Sequence, residues 1–524
     1  MNLSQMLSLN AKLYPEKTAL IERGPEKGSR VTLTWREFDE RVSKVASALR
    51  ERGVKKGDRV MVWMYNSINW LEAYLGILRS GALAVPLNHR FTTREFKYCL
   101  HTAKPRLIFM EREFLSRVES LFEEVTPPQV ILKGNEPTPG WTSFEHFVSA
   151  ASVEENYPKI NEEEPCSLYF TSGTTGAPKP IVLTHKNLTF AAHTGCHHGL
   201  RRKGDVFVIL KPLYHTGDKI HWLSSLLLGE TAVIQRGKIT PRIIFEVMTE
   251  EKGTVAMLLV PWIQDTLMAL ERGELRKEDY DLSSWRLVLF GAQPVPTHLI
   301  LRWEREFPQM DYAINYGLTE ASGPGCLYLT KKDRKKLGSL GKPGYGWEVA
   351  IVDEEGKPLP EGMIGEIAVK GMGVMKGYFQ NEEETRKVLK DGWLLTGDIG
   401  RRDEEGFVWL VDRKKDVIIY GGENIYPREI EEFIREHPWV YDVGVIGAKD
   451  GRLGEVAVAI VQLKEAYQRE PQAEEEIRRH CEILPRYKRP EKIFFDCVPR
   501  NATGKIEKEK LREKYGRKGM VTFS

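Results

Sequence analysis

The sequence Tyr169-Phe170-Thr171-Ser172-Gly173-Thr174-Thr175-Gly176-Ala177-Pro178-Lys179-Pro180 is an apolar segment followed by glycines, hydroxyl side chains and one lysine. Glycines let backbone N–H groups close around an anion, hydroxyl groups donate hydrogen bonds, and a lysine adds a point charge. The Walker pattern G-x-x-x-x-G-K-[ST] cannot be written across this stretch. The alternative interpretation is a flexible turn between two strands. The stretch therefore predicts a phosphate-binding loop that is not a Walker loop.

The size and charge of the chain limit what it can be. A chain of 524 residues is too long for one compact core, so we expect a large domain and a smaller one. The 77 basic and 74 acidic residues leave a formal charge of +3, which gives no electrostatic argument for binding nucleic acid or an anionic membrane. The charge of a substrate must therefore be handled by local side chains.

Cysteine usage and the N-terminus indicate the compartment. The six cysteines lie far apart without a CxxC pair or Cys/His metal spacing, so we interpret them as reduced, mostly buried thiols. The N-terminus has no basic segment followed by an apolar core, and no apolar run approaches the roughly 18 residues that a membrane-spanning helix needs. We therefore expect a cytoplasmic protein with no integral membrane segment.

Helical and strand patterns alternate through the first part of the chain. Residues 3–49 have a helical pattern, residues 60–64 read as a strand, and residues 70–80 form a second helix. A helix over residues 183–193 is predicted to open just after the anion loop, where its N-terminal dipole would strengthen the phosphate site. This alternation predicts parallel sheets covered by helices.

The pattern changes after about residue 336. Short strands bounded by turns, such as 349–352 and 365–370, predict antiparallel hairpins, and beyond residue 416 strands alternate with helices again. We therefore predict an α/β fold. A large N-terminal domain (1–412) has helix-covered mixed or parallel sheets and a small β-barrel-like subdomain. A small mobile α+β C-terminal domain (413–524) follows, with a hinge near Lys415.

Further motifs follow the loop. In chain order they are Tyr214-His215-Thr216-Gly217, Gly291-Ala292-Gln293-Pro294, Asn315-Tyr316-Gly317-Leu318-Thr319-Glu320, Thr396-Gly397-Asp398, Asp412-Arg413-Lys414-Lys415, Tyr420-Gly421-Gly422-Glu423 and Thr503-Gly504-Lys505. Each motif alone has an ordinary interpretation as a strand end, a turn or a solvated charged face. Together and in this order they resemble the adenylate-forming superfamily, which holds acyl-CoA synthetases, peptide-synthetase adenylation domains and beetle-type luciferases. The match runs from about residue 35 to about residue 510 and is closest to the AMP-forming acyl-CoA synthetases.

The resemblance implies a nucleotide site with defined roles. Lys179 and the loop would hold the phosphates, Asp398 would accept both ribose hydroxyls, Arg413 would contact the ribose, and Lys505 would be the adenylation lysine. A carboxylate is a hard ligand that suits Mg²⁺, so Glu320 would hold the metal together with Thr175. The loop residues are Thr171, Ser172, Gly173, Thr174, Thr175 and Gly176. The residues against the adenine and α-phosphate are Gly291, Ala292, Gln293, Pro294, Asn315, Tyr316, Gly317, Leu318 and Thr319. The candidate catalytic residues are Lys505, Glu320, Thr319 and His215.

The same resemblance implies an acyl pocket and a path for coenzyme A. The candidate acyl-pocket residues are Tyr214, His215, Trp222, Gly317, Ser322 and Gly323. The candidate coenzyme A residues are Tyr420, Gly421, Gly422 and Glu423, to which a basic cluster adds Arg486 and Lys488. Two positions depart from the family. Lys415 stands where many relatives carry aspartate, and Pro180 stands where they usually carry glycine, which stiffens the far end of the loop and removes one N–H donor.

The resemblance implies an AMP-forming acyl-CoA synthetase that uses ATP, Mg²⁺ and coenzyme A, in either direction, and we expect a monomer or homodimer. The expected acid is a medium-chain, aromatic or alicyclic monocarboxylate. Lys211, Lys219 and His221 are weighed as anchors for a second carboxylate, but surface positions are favoured. The alternatives are a luciferase-like oxygenase, an amino-acid-adenylating enzyme and a non-catalytic module that binds AMP or acyl-AMP.

Overall fold

The computed structural model describes residues 1–516 except Lys27, 125–127, 135–137, 154–156, 172–177, 292–294, Arg469 and 502–503. Its α-helices, numbered α1 to α15 in chain order, are Leu3–Leu13, Trp35–Glu51, Ile68–Ser80, Thr93–Ala103, Glu119–Glu124, Phe144–Ser149, His185–His198, Thr216–Leu228, Pro241–Glu250, Val260–Glu271, Thr297–Glu306, Glu382–Val388, Pro427–Arg435, Ala473–Cys481 and Lys508–Tyr515. Its strands, numbered β1 to β27, are Thr18–Arg23, Arg30–Thr34, Arg59–Trp63, Leu83–Pro86, Leu107–Glu111, Gln129–Lys133, Thr142–Ser143, Pro165–Thr171, Lys179–Thr184, Val206–Ile209, Thr231–Gln235, Val255–Leu258, Leu287–Phe290, Asp311–Leu318, Gly323–Thr330, Lys342–Pro343, Trp347–Val352, Gly365–Gly371, Gly377–Tyr378, Leu389–Lys390, Trp393–Arg402, Val408–Arg413, Ile418–Tyr420, Glu423–Ile425, Val440–Asp450, Gly454–Leu463 and Lys492–Phe495.

Two large sheets form the frame of the N-terminal part. A nine-stranded sheet has the order β16-β15-β14-β13-β12-β10-β11-β1-β2 and is parallel from β14 to β1. An eight-stranded sheet has the order β19-β9-β8-β4-β3-β5-β6-β7 and is parallel from β8 to β7. Their strands are short and strongly apolar, as is usual for parallel sheets covered on both faces.

The largest apolar cluster joins the two sheets through helices α2, α3, α7 and α8. Helix α3 is buried on all sides and begins where the Ser67 hydroxyl accepts a hydrogen bond from the Trp70 N–H (3.1 Å). It ends at Gly81, whose φ of 83° favours glycine. Each fully buried leucine or valine of such a cluster contributes about 1.5–3 kcal/mol, so these helices are held mainly by packing.

Two smaller sheets complete the fold. The strands β17, β18, β21, β20 and β22 form an antiparallel sheet, and β24, β23, β26, β25 and β27 form the sheet of the C-terminal part. The predicted fold class is confirmed: a large α/β part with mixed and parallel sheets, a half-barrel-like sheet and a smaller C-terminal part. The boundary predicted at residues 412 and 413 falls at the end of β22 and stays a prediction.

Two sequence predictions were wrong in detail. Residues 3–49 are not one helical region, because β1 and β2 lie between α1 and α2, and β1 pairs with the distant strand β11 (Leu20 with Ala232). A local pattern cannot show such long-range pairing. Helix α7 also does not open at the anion loop, since strand β9 separates them, and its N-terminal dipole is not available to the phosphates.

The remaining expectations concern cysteines and membrane segments. All six cysteines are free, and Cys99, Cys166, Cys326 and Cys481 are buried, which confirms the expectation of mostly buried thiols. Among the described residues, no helix combines the length and apolar character that crossing a bilayer requires.

Candidate active site

The predicted phosphate loop joins two paired strands. Strands β8 and β9 are antiparallel and bring Thr171 opposite Lys179 at the mouth of the loop. The loop residues Ser172, Gly173, Thr174, Thr175 and Gly176 lie outside the described residues. Pro180 pairs with Phe170 within the ladder, and its carbonyl accepts a hydrogen bond from the Phe379 N–H (2.8 Å). The proline therefore sits inside a sheet that holds the base of the loop on both sides.

Lys179 is positioned by neighbours from another part of the chain. Its ammonium pairs with Glu384 (2.8 Å) and lies 5.2 Å from the ring centroid of Tyr378. Strand β19 brings these partners close by pairing with β9, with Tyr378 opposite Ile181. The loop lysine is thus held in an ion pair with an acidic side chain from a distant part of the chain.

The motif 315–320 forms the end of β14 and the 3₁₀ turn that follows it. The carboxylate of Glu320 accepts a hydrogen bond from the Tyr378 hydroxyl (3.3 Å), and burial raises the pKa of Glu320. Ser322 has φ of 65°, and its hydroxyl donates to the carbonyl of Gly373 (2.7 Å). The Met375 N–H donates to the Glu320 carbonyl (2.7 Å). Residues 373–378 therefore brace the turn that presents Glu320.

Tyr316, Asp398 and Arg413 form one cluster. The Tyr316 hydroxyl donates to Oδ2 of Asp398 (2.6 Å), and Nε of Arg413 lies 3.5 Å from Oδ1 of the same carboxylate. Strands β21 and β22 place Asp398 opposite Arg413. Burial, followed by the negative charge of Asp398, raises the pKa of Tyr316 well above its ordinary value. The phenol therefore keeps its proton and acts as a donor.

Lys505 brings the C-terminal part into this cluster. Withdrawal from water lowers the pKa of Lys505 to about 8, and the charge of Arg413 adds to the lowering. The carboxylates of Asp398 and Glu320 oppose it, and Lys211 lowers it further. The Lys505 N–H donates to Oδ1 of Asn501 (3.0 Å), which orders the backbone on one side of the lysine. Charges from both parts of the chain therefore converge around the Lys505 ammonium.

Hydrogen bonds join the N-terminal part of the chain to the C-terminal part that carries Lys505. The Gln264 side-chain amide of α10 donates to the Tyr441 carbonyl (2.9 Å), and the Tyr441 hydroxyl donates to Asp265 (3.1 Å). The proposed hinge residue Lys415 lies 3.6 Å from Glu509 on α15, within the C-terminal part.

Two of the predicted acyl-pocket residues, His215 and Gly323, lie against helix α8. His215 caps this helix, and its Nδ1 accepts a hydrogen bond from the Gly217 N–H (3.1 Å). A Cβ on Gly323 would lie 3.0 Å from Thr216 and 3.2 Å from Ile220, so these two side chains pack directly against Gly323, just after the Glu320 turn. Trp222 lies two residues beyond Ile220, about 200° around the helix, and is fully buried in the core. The structure therefore does not bring Trp222 to Gly323.

The candidate coenzyme A residues occupy a separate surface. Gly421 and Gly422 have φ of 58° and 91° and form the exposed turn of the β23–β24 hairpin, between Tyr420 and Glu423. Arg486 is exposed, and Lys488 is engaged with Glu429 on α13 (2.6 Å). Ala292, Gln293 and Pro294 lie outside the described residues.

Sequence reasoning missed several residues of the site. Thr216 and Ile220 follow His215 by one and five residues. They are four residues apart on helix α8, so helical periodicity would have placed them on the same face. Tyr378 and Glu384 follow a glycine-rich segment, Gly371-Met-Gly-Val-Met-Lys-Gly. That segment was the feature of the sequence from which they could have been proposed as site residues. The surface positions favoured for Lys211, Lys219 and His221 are wrong, because all three side chains are fully buried. Lys211 lies against Met257 of β12 and Lys219 against Tyr74 of α3, and such contacts with distant parts of the chain are not visible in local polarity.

Comparisons with known proteins agree with this geometry. The chain matches the family model for AMP-binding enzymes over residues 7–379 and that for the AMP-binding enzyme C-terminal domain over residues 429–505. It is 32% identical over 521 residues to an indoleacetate–CoA ligase of Aromatoleum aromaticum, covering 99% of each chain. It is 30% identical over 516 residues to a long-chain-fatty-acid–CoA ligase of Mycobacterium tuberculosis, covering 98% of each. An anthranilate CoA ligase solved with anthranoyl-AMP superposes with a TM-score of 0.88 at 27% identity, covering 98% of this chain and 97% of the other.

Proposed function

This chain belongs to the AMP-binding enzyme family, in which its relatives are AMP-forming acid–thiol ligases, and we propose that it joins a medium-chain, aromatic or alicyclic carboxylic acid to coenzyme A. The reaction class is that of an acyl-CoA synthetase, with ATP and coenzyme A as co-substrates. Our proposal concerns the identity of the acid and the roles of individual residues.

The chemistry requires activation before transfer, because a carboxylate carbon is electron-rich and its leaving group would be oxide. In the first half-reaction the carboxylate oxygen attacks the α-phosphorus of ATP, and the bond to the β-phosphate oxygen breaks to release pyrophosphate. In the second, the coenzyme A thiolate attacks the acyl carbon and AMP leaves with the bridging electron pair. Both half-reactions are reversible, so the same site would also make ATP from acyl-CoA, AMP and pyrophosphate.

Residues around Lys505 would stabilise the first transition state. Negative charge builds on the phosphates as pyrophosphate leaves, and fixed positive groups directed at that charge lower the barrier. Lys505 supplies an ammonium, and Lys179 supplies a second once it leaves Glu384. Asp398 would accept the two ribose hydroxyls, and Tyr316 and Arg413 hold its carboxylate in place.

The residues present fit a Mg²⁺ ion that enters with ATP. Within the described ranges, no three His, Cys, Asp or Glu side chains form a metal cage, and Mg²⁺ of nucleotide enzymes is usually held by one or two carboxylates and the substrate phosphates. Glu320 is such a carboxylate, half-buried and oriented by Tyr378. The ion would neutralise triphosphate charge when bound, and Glu320 with Thr175 would hold it.

The second half-reaction needs a path for the thiol. In this structure the charges of Glu320 and Asp398 act on Lys505, whereas Gly421 and Gly422 are exposed on the same C-terminal part. A rotation near Lys415 would withdraw Lys505 and bring the glycine turn toward the acyl group. One small domain would then serve both half-reactions in turn.

The observation that supports this function most strongly is the convergence of Lys505 with Glu320, Asp398 and Arg413 across the two parts of the chain. The test is release of AMP and pyrophosphate from MgATP with short, medium, long, aromatic and alicyclic acids, each with and without coenzyme A. Turnover that requires one class of acid and coenzyme A supports the proposal. Acid-dependent pyrophosphate exchange that ignores coenzyme A would indicate another acceptor, and no release with any acid would contradict the proposal.

A further inference from the structure

A series of polar contacts connects helix α10 of the N-terminal part to the loop that carries Lys505. Tyr441 and Asp442 are consecutive residues at the start of β25. Tyr441 is bonded to α10, and Asp442 is bonded to Arg500, five residues before Lys505. None of these three residues is among the nucleotide-binding or catalytic residues assigned above. The start of β25 therefore lies between the surface of the N-terminal part and the loop of the adenylation lysine.

Tyr441 is held on α10 at two points. Its carbonyl accepts a hydrogen bond from the Gln264 side-chain amide (2.9 Å), and its hydroxyl donates to Oδ1 of Asp265 (3.1 Å). Burial, followed by the negative charge of Asp265, raises the pKa of Tyr441, so the phenol keeps its proton and is the donor. Because Tyr441 and α10 belong to different parts of the chain, a rotation of one part against the other would break both bonds.

Asp442 holds Arg500 in a fixed orientation. Nε of Arg500 donates to Oδ2 of Asp442 (2.6 Å), and Nη2 of Arg500 donates to Oδ1 (2.8 Å). Two parallel hydrogen bonds between a guanidinium and a carboxylate fix the direction of the arginine as well as its distance. Asp442 is buried, and a second guanidinium, that of Arg435, lies 3.5 Å from its Oδ1. The carboxylate is therefore a fixed anchor for Arg500.

Arg500 in turn holds the loop around Lys505. A third N–H of its guanidinium donates to the Gly504 carbonyl. The Asn501 N–H donates to the Lys505 carbonyl (2.9 Å), and the Lys505 N–H donates back to Oδ1 of Asn501 (3.0 Å). These bonds tie the backbone of Lys505 to that of Arg500. A displacement of the Asp442 carboxylate would therefore displace Lys505 as well.

We propose that Tyr441, Asp442 and Arg500 are positioning residues for acyl-AMP formation. Tyr441 docks the C-terminal part on α10, and the Asp442–Arg500 pair places Lys505 at the nucleotide site in that docked arrangement. A contact made in one of two arrangements stabilises only that arrangement. The inference rests on the proposed function, in which a rotation near Lys415 withdraws Lys505 for thioester formation. The three residues act through Lys505.

The test measures the two half-reactions separately in the full-length enzyme, with the acid that the wild-type enzyme uses best. Acyl-AMP formation is followed by pyrophosphate release from MgATP, and thioester formation is followed from supplied acyl-AMP and coenzyme A. Tyr441→Phe removes one neutral donor and should slow acyl-AMP formation by about 3- to 10-fold, whereas Asp442→Asn weakens a charged pair and should slow it by about 10- to 100-fold. Both variants should form the thioester at the wild-type rate.

Arg500→Lys distinguishes positioning from a direct contribution of charge to the phosphates. Lysine keeps the positive charge but cannot make the two parallel hydrogen bonds to Asp442. We therefore expect Arg500→Lys to slow acyl-AMP formation by about 10- to 100-fold, as Asp442→Asn does. Wild-type acyl-AMP formation in Arg500→Lys would overturn the role assigned to the pair.

A double-mutant cycle assigns the docking contact to its partners. Because Tyr441→Phe and Asp265→Ala remove the same hydrogen bond, the double variant should form acyl-AMP no more slowly than the slower single variant. Two controls on the C-terminal part should leave both half-reactions unchanged. Tyr467→Phe changes a tyrosine that stacks on Trp439 (5.0 Å between ring centroids), and Glu474→Gln breaks a carboxylate–arginine pair with Arg478 (2.7 Å).

The outcomes separate this inference from the proposed function. Equal slowing of both half-reactions in Tyr441→Phe and Asp442→Asn would show a merely structural role and overturn the inference. An unchanged rate of acyl-AMP formation in either variant would overturn it too, and both results would leave the synthetase proposal intact. No pyrophosphate release by the wild-type enzyme with any acid would instead overturn the synthetase proposal.

Discussion

The hydroxyl of Tyr316 donates a hydrogen bond to Oδ2 of Asp398 across 2.6 Å, although the two residues are 82 positions apart in the chain. The bond joins β14 of the nine-stranded sheet to β21 of the antiparallel sheet. It fixes the Asp398 carboxylate, which we propose binds the ribose hydroxyls, beside Tyr316, which we propose contacts the adenine. The nucleotide site is therefore assembled across two sheets.

Asp398→Ala should raise the KM for ATP. Hydrogen bonds to a charged group contribute about 1.5–3 kcal/mol, which corresponds to about 10- to 100-fold in affinity. Tyr316→Phe leaves the carboxylate in place and should have a smaller effect. Steady-state kinetics at varied ATP check this prediction, and an unchanged KM for ATP in Asp398→Ala would remove the ribose role.

The rate of acyl-AMP formation should fall as pH rises through about 8, because the pKa of Lys505 is lowered to about 8 and the ammonium loses its charge above that pH. The measurement is the pH dependence of kcat/KM for acid-dependent pyrophosphate release. Lys505→Arg keeps its charge to far higher pH, so any remaining activity should lose this descending limb. A limb that stays at the same pH in Lys505→Arg would show that another group titrates.

Glu384→Gln should lower the KM for ATP, because Glu384 pairs with Lys179 (2.8 Å) and would compete with the ATP phosphates for its ammonium. An ion pair that is open to solvent is weak, so the expected change is small, about 1.5- to 5-fold. Glu383→Gln on the same helix is the control, since Glu383 pairs with Lys387 instead (2.8 Å). A higher KM in Glu384→Gln would mean that the carboxylate positions Lys179 for ATP.

Glu320→Gln should raise the Mg²⁺ concentration needed for half-maximal activity by at least about 10-fold, because a neutral amide is a weaker ligand for a hard cation. Tyr378→Phe removes only the hydrogen bond to Glu320 and should shift the same concentration less. Titration of activity with Mg²⁺ at fixed ATP measures both effects. An unchanged Mg²⁺ requirement in Glu320→Gln would exclude this residue as the metal ligand.

Much of the fold followed from local patterns, and the failures have a physical cause. Short apolar strands separated by helices correctly predicted parallel sheets, because a run of apolar residues directly reflects the burial of those residues. The hairpin β1–β2 was missed because its stability comes from pairing with β11, more than two hundred residues away. The predicted dipole of α7 was misplaced for a similar reason: β9 is a strand through its pairing with β8 and β19.

In the candidate site, too, some residues were predictable from the sequence and others depend on long-range pairing. Tyr316, Glu320, Asp398, Arg413 and Lys505 were predicted from motif order, and the structure brings their charges and hydrogen bonds together. Tyr378 and Glu384 were missed because their roles arise only when β19 pairs with β9. Lys211 and His221 were expected at the surface because charged and polar residues usually are. The Lys211 ammonium is buried beside Gly217 and Met257, and Met257 belongs to a different strand, which no local pattern records.

The most direct test of the central claim measures both half-reactions of Lys505→Ala. The control is Lys510→Ala, which changes an exposed lysine on α15 that pairs with Glu507 (2.8 Å). Acyl-AMP formation is followed by acid-dependent pyrophosphate release, and thioester formation is followed from supplied acyl-AMP and coenzyme A. Removing one group that stabilises transition-state charge should slow acyl-AMP formation by about 10²- to 10³-fold or more. Thioester formation from supplied acyl-AMP should keep most of its rate. Equal loss in both half-reactions, or no loss in either, would contradict the account.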